Sequence, residues 1–320
     1  MKSSAGYLVR RLRLRHLELL VALADAGTLR AAASQLNLSQ PALSKMLGEI
    51  ETGFGARLFE RSSQGVTANT LGEAVVYRAR VMLGELSRSK DEVDALRTGA
   101  TGVLRIGTLS VTSAVPKAVV QLRRGLPGAR VQIQEGRVRE LIRRLLDGEL
   151  DCVFGAITPE LLTSELLSQL RPEVLLEDEL CVLCGAEHPL ARRRRLHWAD
   201  LRAAAWVTPP KDTLVRQAFM TAFLNEGWEP PEPAVEVLSS VSVGSLLRAD
   251  ASLLGAVRLE HAQDELSRVG VRRLILNPAI PLPSLGLYTR RASENPAPLV
   301  QAFASAIRRA GARARGAEGR

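Results

Sequence analysis

The chain has 320 residues, 46% of them hydrophobic, and its 43 Lys and Arg outnumber its 34 Asp and Glu, giving a formal net charge of +9. That length suits two or three packed domains, and the excess positive charge suits a polyanionic partner. No apolar run is long enough to span a bilayer and the N-terminus lacks a signal-peptide core, so the expectation is a soluble cytoplasmic protein.

A basic arm, Arg10, Arg11, Arg13 and Arg15, precedes a first helix whose apolar stripe is Leu17, Leu20, Val21 and Ala24 and which stops at Gly27. Thr28 caps a second helix, where Ala31, Ala32 and Ala33 are small enough for a neighbour to approach closely. Asn37 ends it in the left-handed conformation, leaving Asn37-Leu38-Ser39 as a tight turn. Ser39 then caps a helix that starts at Gln40 with Pro41 in its first turn, where a missing N–H costs little. Leu43, Leu47, Ile50 and Phe54 form its buried face and Ser44, Lys45, Gly48 and Glu49 fall elsewhere. Two helices joined in this way are a helix-turn-helix, and the start of the second enters the major groove of DNA. Arg57 to Arg61 and Ser62 to Thr67, with Gly65 in the turn, predict the two-stranded wing that flanks many such readers. The candidate DNA-contacting residues are Thr28, Ser39, Gln40, Pro41, Ser44, Lys45 and Arg61, the last placed to hold a phosphate.

After the wing, Thr70 with Glu73 predicts a capping box opening a long helix. Val75, Ala79, Met82, Leu86, Ser89, Val93 and Leu96 step along it by four and three, among charges such as Arg80, Glu85, Lys90 and Asp91. Such a seam predicts a second copy of the chain, and a symmetric dimer would place two readers on half-sites about 34 Å apart. Residues 98–102, Thr-Gly-Ala-Thr-Gly, end the helix as a hinge.

From Val103 the pattern alternates between strands and helices. VLRIGTL, ARVQIQE and DCVFGAI read as buried strands separated by helices over Pro116 to Arg124 and Arg139 to Leu146. LEDELCVLCG, AWVTPP, AVEVLSS and SLLGAV follow, then SLGLYTRR and a final helix near Leu299 to Arg309. The expectation is α/β with a largely parallel sheet in two lobes, crossed near Leu176 to Val182 and Ser284 to Tyr288. The domains would be residues 1–69 for the winged helix-turn-helix, 70–102 for the linker and dimerisation helix, and 103–314 for the two-lobed α/β part. Its first lobe would take 103–178 and 284–314 and its second 179–283, leaving 315–320 as a tail.

The run from His16 to Gly72, above all AAASQLNLSQPALSKMLGEIE and GARLFERSSQGVTANTLGEAV, resembles the DNA-binding segment of LysR-type transcriptional regulators almost position by position. It departs at Thr67-Ala68-Asn69-Thr70, where relatives more often carry Leu-Thr-x-Ala. The resemblance implies an effector domain like a periplasmic binding protein, with a ligand cleft between its lobes. It implies promoter DNA and a small-molecule effector as partners, a homodimer or homotetramer, and RNA polymerase as a further partner. An organic acid, an aromatic metabolite or a sugar derivative fits the family's breadth, a carboxylate best. Clefts of that type bind ligands at strand ends and helix N-termini, whose free N–H groups suit anions. Ser110 and Thr112, with Ser113, follow the first strand. Thr208 ends the strand from Ala205, and Ser240 and Ser242, with Ser239, lead into the helix of Leu246 and Leu247. Arg137 would add a charge partner.

No metal, cofactor or enzyme signature competes. Cys181 and Cys184 form C-x-x-C, but His188 is the only further ligand nearby, and on a strand positions three apart face opposite ways. With Cys152 they read as small apolar residues in a reduced cytoplasm, a redox sensor being the alternative. Ser87-x-x-Lys90 matches a nucleophile pattern only by chance, on a charged helix without partner motifs. The alternative to a ligand-responsive regulator is an architectural DNA-binding protein that organises DNA without switching. The run Arg192 to Arg195 reads as an exposed loop.

Overall fold

The computed structural model describes residues 12–62, 65–97, 102–291 and 297–318. Helix α1 (Leu14–Ala26) buries Leu17, Leu19, Leu20 and Leu23 and stops at Gly27, whose φ of 65° glycine adopts at no steric cost. Helix α2 (Leu29–Gln35) starts where the Thr28 hydroxyl accepts the Ala31 N–H at 3.2 Å, and Asn37 closes the turn at φ 53°. Ala32 and Ala33 are buried, whereas Ala31, expected beside them, lies on the outer side of the first turn and is exposed. Helix α3 (Gln40–Phe54) is capped by the Ser39 hydroxyl, which accepts the Ala42 N–H at 3.3 Å. Its Leu43, Leu47 and Ile50 share one core with α1 and with Leu58, Phe59 and Val66. The wing is β1 (Phe59–Ser62) against β2 (Gly65–Ala68), antiparallel from Phe59 opposite Ala68 to Ser62 opposite Gly65. Arg10 and Arg11 of the basic arm, Ser63 and Gln64 of the expected turn, and hinge residues 98–101 lie outside the described residues.

Helix α4 (Thr70–Arg97) is capped by Asn69 rather than by a Thr70 and Glu73 box. Asn69 Oδ1 accepts the Gly72 N–H at 2.9 Å and its Nδ2 donates to the Arg57 carbonyl at 2.9 Å, so Thr70 is already helical. The expected seam divides. Ala79 is fully buried and Val75 half-buried against the reader's own core, because the first turns of α4 pack on α1. Met82, Leu86 and Val93 stay exposed at 50, 51 and 55%. The side chain of Leu96 lies outside the described residues.

Beyond the hinge the described residues build a nine-stranded sheet. In the first lobe β3 (Gly102–Thr108), α5 (Ala114–Gly125), β4 (Ala129–Glu135), α6 (Val138–Leu146) and β5 (Cys152–Ala156) alternate, with β3 parallel to both β4 and β5. Short α7 (Ser164–Gln169) leads to β6 (Leu170–Gly185), which carries the chain into the second lobe. There β7 (Ala205–Thr208), α8 (Leu214–Asn225), β8 (Val235–Glu236), α9 (Ser240–Ala249) and β9 (Leu253–Arg258) repeat the pattern, β7 again parallel to its neighbours. Helix α10 (Leu259–Leu266) and β10 (Val271–Leu274) precede the return strand β11 (Pro281–Arg290), and α11 (Pro298–Glu318) packs back on the first lobe. The last helix thus runs well past Arg309, into the stretch expected as a tail.

The sheet is mixed rather than largely parallel. β6 runs antiparallel to β9, β10 and β11, and β11 runs antiparallel to β5. Two long strands that cross between lobes in opposite senses must oppose their neighbours, and the expected crossing segments are parts of these two strands. Each lobe keeps its own core, one around Ile106, Phe154, Leu287 and Phe303, the other around Trp198, Trp206, Phe219 and Phe223.

Candidate DNA-reading surface and effector cleft

The start of α3 is presented to solvent. Gln40, Pro41 and Lys45 are exposed and Ser44 is half-buried, because the same helix turns Leu43 and Leu47 inward. Arg61 reaches from the wing to this helix, its Nη2 donating to Ser44 Oγ at 3.0 Å, so the two candidate contact residues meet. Thr28 and Ser39 lie exposed nearby with their hydroxyls engaged as caps. Two supports escaped sequence reasoning. Glu51 Oε1 accepts the Leu58 and Phe59 N–H groups at 2.8 and 3.2 Å, tying α3 to the wing. The Gly27 carbonyl accepts the Val66 N–H at 2.7 Å, and a Cβ on Gly65 would sit 2.5 Å from that oxygen. Arg15 of the expected basic arm lies on α1 and donates to the Leu36 carbonyl at 3.4 Å.

Between the two lobes lies a cavity of about 660 Å³. The N-terminal ends of α6, α8 and α9 open onto it, among apolar side chains that include Val138, Phe154, Leu214, Leu238 and Val243. Of the residues expected to face a ligand, Ser110, Arg137 and Ser240 line the cavity; Thr112, Thr208 and Ser242 do not. The Thr112 hydroxyl donates to Glu260 Oε2 at 3.3 Å, and the Thr208 hydroxyl accepts from the buried Arg216 Nη1 at 2.6 Å. Ser242 follows Ser240 by two residues, about 200° around the helix, and so faces away. Ser240 Oγ is buried with no hydrogen-bond partner. Thr158, Asp212, Thr213, Gln217, Arg258 and Glu260 also line the cavity and were not anticipated. Two of these carried a local signal: the Thr213 hydroxyl caps α8 by accepting the Arg216 N–H at 3.3 Å, and Thr158 is the N-cap residue before Pro159.

The lobes are fastened to each other around this space. Arg137 Nη1 meets Asp212 Oδ2 across its mouth at 2.5 Å. The N-terminus of α5 in the first lobe is capped by α10 of the second: the Ala114 N–H donates to Glu260 Oε1 at 3.0 Å and the Ser113 N–H to Asp264 Oδ2 at 2.6 Å. Carboxylates there meet the positive end of the helix dipole. Ser113 takes φ 39°, strained for a residue with a Cβ, at this junction. At the crossing strands Arg258 pairs with buried Asp178 and donates to the Pro283 carbonyl at 2.9 Å. Burial pushes the Glu260 carboxyl up to about 7, and the Ala114 N–H opposes this in part. Burial holds neighbouring His261 down at about 3, with Arg258 adding to the effect.

Other sequence features fall outside both sites. Cys181 and Cys184 are buried in different clusters on opposite faces of β6, and burial pushes the Cys184 thiol up to about 11. His188 Nδ1 accepts the Leu190 N–H at 3.1 Å. Arg192 to Arg195 are exposed, and Ser87 is exposed on α4 beside Lys90, which pairs with Asp94 at 2.6 Å.

The chain matches two family models, the LysR substrate binding domain over residues 97–312 and the bacterial regulatory helix-turn-helix protein, lysR family, over residues 14–73. It is 34% identical over 239 residues to the HTH-type transcriptional regulator GbpR of Azospirillum brasilense, covering 73% of this chain and 68% of that one. It is 36% identical over 201 residues to the small neutral protease regulatory protein of Streptomyces coelicolor, covering 62% and 60%. A full-length OxyR variant from Pseudomonas aeruginosa superposes with a TM-score of 0.62 at 20% identity, over 93% of this chain and 95% of that one. CbnR, solved in complex with its target DNA, gives 0.57 at 21% identity over 93% and 100%. At those identities the two structures bear on the fold alone, an N-terminal helix-turn-helix part followed by a two-lobed α/β domain. With both parts matched, the chain belongs to the LysR family of transcriptional regulators.

Proposed function

We propose that this regulator reads promoter DNA through Gln40, Pro41, Ser44, Lys45 and Arg61, with Thr28 and Ser39 at the flanking helix starts, and senses a small organic acid between its lobes. Met82, Leu86 and Val93 on α4 would join two copies as a homodimer or within a homotetramer, acting in the cytoplasm and signalling to RNA polymerase. One observation supports the sensing reading most directly. A cavity of about 660 Å³ carries the Arg137 guanidinium, paired with Asp212, at its mouth and an unpartnered, buried Ser240 hydroxyl. Helix N-termini and a guanidinium favour a carboxylate, and the apolar lining favours a hydrocarbon or aromatic body behind it. Lobe closure on such a ligand would shift a pre-existing equilibrium between arrangements of the readers.

Thermal-shift measurements on the full chain, against a panel of aliphatic carboxylates, aromatic acids and sugars, test the reading. An acid should stabilise the protein, by about 2.7 kcal/mol at a hundredfold excess over its Kd, and should change the footprint on a promoter. Stabilisation by neutral sugars alone would reject the carboxylate.

A further inference from the structure

Helix α6 touches both the cleft and the DNA reader. It has nine residues, a rod of about 13 Å. At its N-terminal end Val138 and Arg139 line the cavity, and the cap residue Arg137 pairs with Asp212 of the second lobe at 2.5 Å. At the opposite end Arg143 Nη2 lies 3.2 Å from Asp25 Oδ1 of α1. Asp147, which caps this end, holds Arg80 Nη1 of α4 at 3.1 Å, and the same guanidinium reaches Asp25 through Nη2. The contact is close-packed as well as ionic. A Cβ on Gly84 of α4 would lie 3.0 Å from the Asp147 carbonyl and 3.1 Å from Gly148 Cα. Just beyond, Arg88 donates to the Leu150 carbonyl at 2.9 Å and pairs with Asp151 at 3.0 Å.

Asp25 occupies the last turn of α1, where its charge opposes the negative end of the helix dipole. Its setting therefore depends on Arg80 and Arg143, both from outside α1. Two residues on, the Gly27 carbonyl holds the wing at Val66. The path from cavity to wing is thus made of one rigid helix, one ion cluster and one backbone hydrogen bond.

We propose that α6 is the element through which the state of the cleft is transmitted to the reader within one chain, with Asp25 as its contact on the DNA-binding side. Resting on the reading of the cleft as the effector site, it assigns the coupling to particular residues. A change in the Arg137 to Asp212 spacing moves α6 as a unit, because its backbone bonds are internal, and the Arg143, Asp25, Arg80 and Asp147 cluster alters the hold on α1 and the wing.

The test needs no ligand. Asp212→Arg turns attraction across the cleft into repulsion, and amide hydrogen exchange of the full chain reads the wing strands β1 and β2. Wing protection should change by about fivefold or more. With Asp25→Ala also present the same cleft substitution should change it by less than about twofold. Asp212→Ala should act in the same sense more weakly, which keeps the test valid if the arginine variant folds poorly. An equal change with and without Asp25, or an unaltered wing in both cleft variants, overturns the proposal. A missing cleft ligand in the thermal-shift panel would instead count against the sensor reading and leave this mechanical result standing.

Discussion

Ser44 accepts the Arg61 guanidinium at 3.0 Å while Lys45 beside it is exposed, so neighbouring positions on α3 are set up for different work. A hydroxyl oriented by a wing residue suits a base edge, whereas a solvated ammonium suits a phosphate. Ser44→Ala should therefore relax discrimination between cognate and altered duplexes by about 1–3 kcal/mol. Lys45→Ala should weaken binding to every sequence and reduce the salt slope by about 1. Binding isotherms on cognate and scrambled DNA across salt concentrations distinguish the two, and unchanged behaviour in both variants would count against α3 as the reader. A second residue-scale consequence concerns Glu260, enclosed by Thr112 and the Ala114 N–H of α5, Asp178 of β6, Arg258 of β9, and His261 and Asp264 of its own helix. Its carboxyl titrates near 7 in the folded protein against an ordinary value of 4.5. Folding thus favours the protonated acid; that contribution is fully present below about pH 4.5 and is lost as pH rises through about 7, worth at most roughly 3 kcal/mol. Glu260→Gln keeps an acceptor for the Ala114 N–H and removes the titration. Urea unfolding across that pH window should show a flatter stability profile for the variant, and an identical profile would place the pH dependence elsewhere.

Among the elements, the reader's helices could be delimited from sequence because their ends are determined locally: Gly27, Thr28, Asn37 and Ser39 each act on neighbouring residues. Helix α10 was hidden for the opposite reason. LEHAQDEL has only a three-residue apolar stripe, Leu259, Ala262 and Leu266, and buried Glu260 and Glu265 blur it because they also face inward and are compensated from outside the helix, by Arg248 for Glu265 and the α5 N-terminus for Glu260. The same separation explains the mixed outcome at the cleft. Ser110 and Ser240 followed the strand-end and helix-start rule, but Thr112, placed by that rule too, is engaged by a carboxylate 148 residues away. Helix α4 shows the limit of periodicity, because one stripe serves the reader's core at Ala79 and stands exposed at Met82. Leu71, Met82 and Val93 recur every eleven residues with Leu86 between them, and all four are at least half exposed. Met82→Glu with Leu86→Glu should weaken self-association by roughly a hundredfold, about 3 kcal/mol. Light scattering would then show smaller particles and DNA affinity would fall with no change in α3; an unaltered mass in a folded double variant would refute the α4 interface.

For the whole molecule, the arrangement separates reading from sensing while keeping them in mechanical contact. The two lobes are joined by β6 and β11, the Asp178, Arg258 and Pro283 clamp sits at the crossing, and Arg137 and Asp212 at the cleft mouth are both more than half exposed. Ser110 of the first lobe and Ser240 of the second line the space that closure would compress. Replacing either by Phe places an aromatic ring in that space without altering a residue of the reader or of α4. Promoter affinity should stay within about threefold of the parent, because ligand-free DNA binding draws on α3 and the wing. The stabilisation conferred by the best carboxylate of the panel should vanish, and the ligand-dependent change in footprint with it. The two losses must occur together, since a ligand shifts an equilibrium only through its different affinities for the two states, and a filled cleft removes that difference. Footprinting and thermal shifts on both folded variants, with and without the acid, measure both quantities. If either variant kept a full response, that serine would be an ordinary strand-end or helix-start residue beside the pocket, and the ligand would have to bind elsewhere.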